Sequence, residues 1–403
     1  MTKPKLLWIS DSSRLSFVGQ SVVTRNCLSR LQEHYEIEEL GFANNDIKPE
    51  EAANVSWNII HCNRQDMLDY QKMVTYISNS KPDVVLFSHD PWLFPTIGHV
   101  KACLPQIKYI GYLTIDGEPP YWRWIDYLRP YDKIISPTNF GAKVLKDRWC
   151  DLNVGVVPYG LDHNLWHSPK QGKKLLKTQL TQESGGGVYF HDKFVALFIG
   201  ANQDRKNLGL LHEAWREFER GKEANVVLLI VTHSASLKED IGSYDLNVFL
   251  QDTKTLQILN HPQPDGVVAR FMAAADILTH LSSGEGFGLS IPQAMACGTV
   301  PVILNFAGST DFCNSTNSYE VPHYLHVGGY HVHRALADPK VAAAKFNEAY
   351  EDWKSEKINE KSIEGVKTAQ QYSWERTAEM LKENIDEVLT YKRGALYFTK
   401  LAG

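Results

Sequence analysis

The chain has no C-x-x-C pair, no D-x-D triplet, no G-x-G-x-x-G fingerprint and no apolar run long enough to cross a bilayer. Each absence excludes something. The six cysteines (Cys27, Cys62, Cys103, Cys150, Cys297, Cys313) are scattered, which argues against a disulfide framework or a thiolate zinc site and suits reduced thiols. Without D-x-D, no carboxylate pair stands ready to hold a metal against a diphosphate. Without the glycine fingerprint, no dinucleotide site is expected behind the first strand. The apolar run at 6–9 is too short for a signal peptide, and no stretch is long enough for a spanning helix. A cytoplasmic protein is therefore expected, with peripheral membrane contact left open. Acidic residues outnumber basic ones, 47 to 42, and the net charge of −5 speaks against general nucleic-acid binding.

What is present is ordinary globular material. With 43% hydrophobic residues in 403, the chain can build more than one core, and two or three domains are expected. Runs at 6–9, 83–90, 108–116, 132–138, 194–200, 225–231, 276–280 and 300–303 read as strands, and amphipathic segments follow several of them. Strand, loop, helix repeated in two sets predicts two α/β units facing a cleft. Ligands then gather where the strands end. His89, Asp90 and Asp116 stand at such ends, and Arg205 with Lys206 follows the 194–200 strand. A guanidinium fork beside an ammonium suits a diphosphate.

Residues 281–303, L-S-S-G-E-G-F-G-L-S-I-P-Q-A-M-A-C-G-T-V-P-V-I, read as loop, helix, turn and strand. Glycines at 284, 286 and 288 permit close backbone approach. Ser290 is expected to cap the helix, Pro292 to sit in its first turn and Gly298 to end it. Such a glycine loop aims free N–H groups at an anion. Residues 164–192, with S-G-G-G at 184–187, are expected to form a loop, since no strand precedes the glycines and no Lys-Ser/Thr follows them. The aromatic segment 117–131 includes Tyr121 and Trp122, whose rings could stack on a sugar or simply cover a domain edge. His323, His326, His331 and His333 crowd one segment. No cysteine or carboxylate completes a ligand set there, so no metal is expected.

Residues 281–303 resemble the signature of the retaining family 4 glycosyltransferases of the GT-B fold, whose pattern is Glu, seven residues, Glu. Glu285 matches the first. The second falls on Gln293. A P-x-G-x-D turn at 158–162 and an S-W helix start at 373–374 match as well. The resemblance implies two Rossmann-like domains: 1–165 on the acceptor side, and 166–372 binding the donor, with a helix from 373–403 packing back on the first. It implies transfer of a sugar from a UDP- or GDP-sugar to a hydroxyl of a glycan, lipid or other acceptor, without cofactor or metal. Glu285 and Asp116 would act at the sugar, Asp116 standing where the family commonly carries His. Gly19, Arg205, Lys206, Phe287, Gly288 and Leu289 would hold the diphosphate, and Gln293 the ribose. The family's Gly-Gly pair is Val18-Gly19 here, and its basic residue after the strand glycine is Ala201. His89, Asp90, Tyr121 and Trp122 would line the sugar or acceptor region. Residues 261–265 would lie near the base. Two alternatives stay open: a nucleotide-sugar epimerase of the same fold, and a non-catalytic nucleotide-sugar binder.

Overall fold

The computed structural model describes residues 3–15, 19–42, 54–185, 187, 189–232, 244–261, 263–327 and 332–390. The chain begins with β1 (Lys5–Asp11), α1 (Gly19–Leu31), β2 (Glu36–Phe42), β3 (Asn58–Cys62), α2 (Tyr70–Ser80) and β4 (Val84–His89). There follow α3 (Ile97–Cys103), β5 (Lys108–Leu113), α4 (Ile125–Leu128), β6 (Lys133–Ser136), α5 (Asn139–Arg148) and β7 (Val154–Val156). These strands form one seven-stranded sheet in the order β3-β2-β1-β4-β5-β6-β7. All its pairings are parallel. Strands such as β4 and β6 are buried throughout, as covering both faces of a parallel sheet requires.

The second half runs α6 (Lys173–Glu183), β8 (Phe194–Ile199), α7 (Leu208–Glu219), β9 (Val226–Thr232), α8 (Leu246–Asp252), β10 (Leu256–Asn260), α9 (Asp265–Ala274) and β11 (Ile277–His280). Then come α10 (Ser290–Ala296), β12 (Val300–Ile303), β13 (Tyr319–Glu320), β14 (Tyr324–Val327), β15 (His333–Leu336), α11 (Pro339–Lys354), α12 (Ile358–Ala369) and α13 (Trp374–Thr390). The second sheet, β10-β9-β8-β11-β12-β13, is again parallel. β14 and β15 make a separate antiparallel hairpin. The protein therefore has two parallel-sheet α/β domains. No described helix is long and apolar enough to cross a membrane.

α13 lies against the first domain. Arg30 on α1 pairs with Glu375 at 2.6 Å, Tyr35 Oη donates to Asp386 at 2.6 Å, and Thr377 Oγ1 donates to the Pro158 carbonyl at 2.8 Å. Residues 391–403 of the expected terminal helix lie outside the described residues.

Three sequence readings need correction. Residues 164–192 are not one loop: α6 stands inside them, burying Leu176, Lys177 and Leu180. Its polar composition hid it, because its middle turn is held by a buried ion pair rather than by apolar contacts alone. Lys177 Nζ lies 2.5 Å from Asp276 Oδ2 and 2.8 Å from the Lys193 carbonyl, and the same Asp276 oxygen accepts from the Val195 N–H at 2.7 Å. Ser290 does not cap α10. It is the first helical residue, and Leu289 occupies the cap position with no side-chain bond. Gly19 is not in the loop but opens α1.

Lys177→Met should destabilise the fold by about 3–5 kcal/mol, since it strands a buried carboxylate. The check is the melting temperature and urea midpoint. An unchanged midpoint would mean that Asp276 is satisfied without the lysine.

Candidate active site

The carboxyl ends of β4 and β5 face those of β8 and β11 across the cleft. Two loops nearly touch there. A Cβ on Gly284 would stand 2.0 Å from the Asp116 carbonyl oxygen, and one on Gly286 would stand 2.5 Å from Thr114 Cβ. Only glycine lets the 283–286 backbone lie this close to 114–117. Further bonds fix the loop. The Ser283 N–H donates to the Arg205 carbonyl at 2.8 Å, and the Gly308 N–H donates to the Glu285 carbonyl at 2.8 Å. Asn207 Nδ2 donates to the Leu281 carbonyl at 2.8 Å. Asp311 reaches across to the first domain and accepts from the N–H groups of Asn139 and Phe140, at 2.6 and 3.2 Å, at the start of α5.

This framework buries Glu285 between two cations. Arg205 Nη1 is 2.7 Å from Oε2, and Lys206 Nζ is 2.5 Å from Oε1. His280 Nε2 is 3.3 Å from Oε1. Burial alone would push the Glu285 carboxyl up, but the charges of Arg205 and Lys206 win and hold it well below the usual range. Burial lowers the pKa of Lys206 and of His280, and the Glu285 carboxylate opposes that in both. The Arg205 and Lys206 pair is therefore not open, as the sequence suggested: Glu285 pairs with both. Among the described residues, no acceptor faces the N–H groups of Phe287, Gly288 and Leu289. The Phe287 ring is buried against Tyr159, centroids 5.0 Å apart.

On the opposite wall, Asp116 Oδ2 is paired with Arg334 Nη1 at 2.8 Å, and the same guanidinium nitrogen donates to the Asp116 carbonyl at 2.7 Å. Asp116 Oδ1 is buried and has no partner among the described residues. Burial raises its carboxyl, and Arg334 pulls it back only in part. Asp90 Oδ1 accepts from Thr114 Oγ1 at 2.5 Å. Burial works to raise its carboxyl, but His89 and Thr114 bring it below the usual range. His89 points away from the cluster toward Asp11, Nε2 to Oδ2 3.2 Å, while the Asp90 N–H donates to its Nδ1 at 2.8 Å. That backbone donor requires a lone pair on Nδ1 and places the neutral ring's proton on Nε2. Burial lowers the His89 pKa, but Asp11 and Asp90 favour the cation and push it up to about 9. The two carboxylates thus oppose the Nδ1 bond, which a protonated ring could not accept.

The remaining sequence candidates divide. Among the described residues, nothing lies within 4 Å of a Cβ placed on Gly19, at the start of α1. The adjacent Gln20 Nε2 donates to Tyr159 Oη at 3.3 Å, which ties this helix start to the ring that packs on Phe287. Gln293 is half-buried on α10, and its amide has no partner among the described residues. Tyr121 packs against the core of the first domain. Trp122 is 55% exposed under the Arg123 guanidinium, so the aromatic wall is split rather than continuous. Val18, Pro262 and His331 lie outside the described residues. Sequence reasoning missed Arg334, His280, Asp11 and Arg64, which pairs with Asp11 at 2.5 Å. His280 ends β11 and Asp11 ends β1, so both were within reach of the strand-end rule; nothing local marks Arg64 or Arg334.

Comparison with known proteins agrees with this geometry. Residues 186–365 match the family model of glycosyl transferases group 1. A D-inositol 3-phosphate glycosyltransferase from Actinosynnema mirum is 25% identical over 240 residues, 55% of this chain and 52% of the relative. The match thus spans about half the length of that curated relative. Anabaena HepE, crystallised with UDP and glucose, superposes with a TM-score of 0.73 at 15% identity, over 95% of this chain and 100% of that one. Sucrose-phosphate synthase from Thermosynechococcus elongatus gives 0.75 at 15% identity, over 96% and 99%. At such identities the likeness is one of fold, and the two parallel-sheet domains make a GT-B architecture.

Glu285 competes with any anion for Arg205 and Lys206. Glu285→Gln should therefore tighten binding of inorganic pyrophosphate, measured by calorimetry. Equal or weaker binding would show that the carboxylate does not hold the clamp closed.

Proposed function

We infer that the protein is a retaining glycosyltransferase. It takes a sugar from a UDP- or GDP-sugar and places it on a hydroxyl of a carbohydrate or lipid-linked acceptor, with no metal or cofactor. The observation that carries this reading is the buried Arg205–Glu285–Lys206 cluster, set at the strand ends of one domain and pressed against those of the other. The N–H groups of 287–289, which have no acceptor among the described residues, lie beside it. The group 1 match over the same residues supports it.

When the donor enters, its diphosphate takes Arg205 and Lys206 together with the 287–289 N–H groups. These donors stabilise the charge that grows on the leaving phosphate. Glu285, displaced from the cations, accepts from hydroxyls of the transferred sugar, and Asp116 faces the ring from the other wall. Gln293 holds the ribose. The acceptor hydroxyl attacks on the face that the phosphate leaves. The carbon–oxygen bond to phosphate breaks, the new glycosidic bond forms, and the departing phosphate takes the acceptor's proton. Positive charge from side chains fills the place a metal would take, which fits the missing D-x-D.

Incubation with a panel of UDP-, GDP- and ADP-sugars, reading released nucleotide with and without acceptors, tests the reading. Acceptor-dependent release supports transfer. Turnover of the nucleotide sugar alone would favour an epimerase, and binding without turnover a non-catalytic binder. Arg205→Ala with Lys206→Ala should weaken nucleoside diphosphate binding, by about 2–5 kcal/mol for each buried charged group removed. Unchanged affinity in a folded double variant would remove the clamp from the mechanism. EDTA should leave activity in place; loss on chelation, restored by magnesium or manganese, would overturn the metal-free route.

A further inference from the structure

Arg334 lies outside every motif that pointed to the cleft, yet it touches the cleft's far wall. It stands on β15, which bonds to Glu118 of the first domain through His333 and to Ser283 of the second through Ala335. The His333 N–H donates to the Glu118 carbonyl at 2.8 Å. Val332, just before β15, is 2% exposed and packs in the core of the first domain. A Cβ on Gly117 would meet Val332 Cγ1 at 2.4 Å and the His333 carbonyl at 2.6 Å, so the hairpin and the 116–118 backbone lie directly against each other. Arg334 is thereby fixed at both ends. Its guanidinium nitrogen Nη1 meets the side chain and the carbonyl of one residue, Asp116, at 2.8 and 2.7 Å. It also passes beside the glycine loop, since a Cβ on Gly284 would stand 2.9 Å from that nitrogen.

The pairing leaves Asp116 with two unlike oxygens. Oδ2 and the backbone carbonyl are taken by Arg334, while Oδ1 is buried with no partner among the described residues. An unpaired buried carboxylate oxygen is costly, and a native structure that keeps one usually has a ligand group for it. Three charges act on Asp116: Arg334 on β15, Asp90 after β4, and Arg205 after β8, whose guanidinium is itself paired with Glu285. Of the three carboxyls, Glu285 and Asp90 lie below their usual range and Asp116 above it. Asp116 is therefore the first of them to take a proton as pH falls.

We propose that Arg334 is a positioning residue for the transfer reaction: from the β14–β15 hairpin it holds Asp116 ionised and oriented, with the unpartnered Oδ1 presented to a hydroxyl of the transferred sugar. The proposal rests on the glycosyltransferase reading above. It adds that the reacting pocket is completed by a hairpin outside both sheets.

The test is the pH profile of kcat/KM for the wild-type protein, Arg334→Gln, Arg334→Lys and Asp116→Asn, using whichever donor the panel identifies. Removing Arg334 takes away the charge that opposes burial. Asp116 then holds its proton to higher pH, and the acid limb should move upward. At neutral pH kcat should fall about tenfold or more while nucleoside diphosphate affinity changes less than about threefold, the pattern of an interaction made mainly in the transition state. Arg334→Lys should recover part of the limb's position, and Asp116→Asn should abolish that limb. A uniform loss at all pH values in a folded Arg334→Gln protein, or a limb that stays where it was, overturns the proposal. If Arg334→Gln fails to fold, Arg334→Lys alone decides, since it must shift the limb upward by less than a full loss would. A wild-type protein that turns over no donor brings down the glycosyltransferase reading itself, and the role of Arg334 falls with it.

Discussion

One carboxylate shared by two cations, out of water, sets the state of this cleft. Glu285 cannot be buried without Arg205 and Lys206, and Lys206 cannot be buried without Glu285. The turn that carries the cations and the loop that carries the carboxylate are stitched together by the bonds from Ser283 to Arg205 and from Asn207 to Leu281, and Gly308 holds the loop at Glu285. The charges thus meet at fixed positions. A ligand that brings two negative charges changes the balance at once, because it offers the cations a second partner and releases the first.

The opposite wall follows a different logic. It pairs Asp116 with a residue that comes from the other half of the chain. Asp90 leans on Thr114 and on the His89 backbone neighbourhood, while His89 itself turns back to Asp11 and, through it, to Arg64. The acids of this wall are thus graded by their partners rather than by their residue type.

Much of this was legible in the sequence, and the reasons are local. The all-apolar run of β8, followed by Arg205 and Lys206, announced a strand-end basic turn. The spacing of residues 281–303 announced loop, helix and strand, and the structure has them, apart from the cap assigned to Ser290. What stayed hidden depends on long-range pairing. α6 reads as polar because Lys177 is buried only by virtue of Asp276, which stands 99 residues away. Arg334 has no helical or strand period to mark it and gains its meaning from Asp116, 218 residues earlier. The β2 and β3 strands were missed because their exposed and half-buried stretches carry charged and polar residues such as Glu36, Glu38 and Asn58.

Val332 carries a consequence of a different kind. It belongs by sequence to the second half and by packing to the interior of the first. Another interior cluster joins Trp8 and Tyr112 of the first sheet to Leu197 and Leu278 of the second through Tyr159 and Phe287. The halves therefore do not end where their sheets end. Cutting the chain between them, or exchanging one half for that of a distant relative, would tear a shared interior rather than separate a pair of finished bodies. Evolution of a new specificity in this molecule is thereby steered toward changes within the existing walls, and away from the shuffling of whole halves.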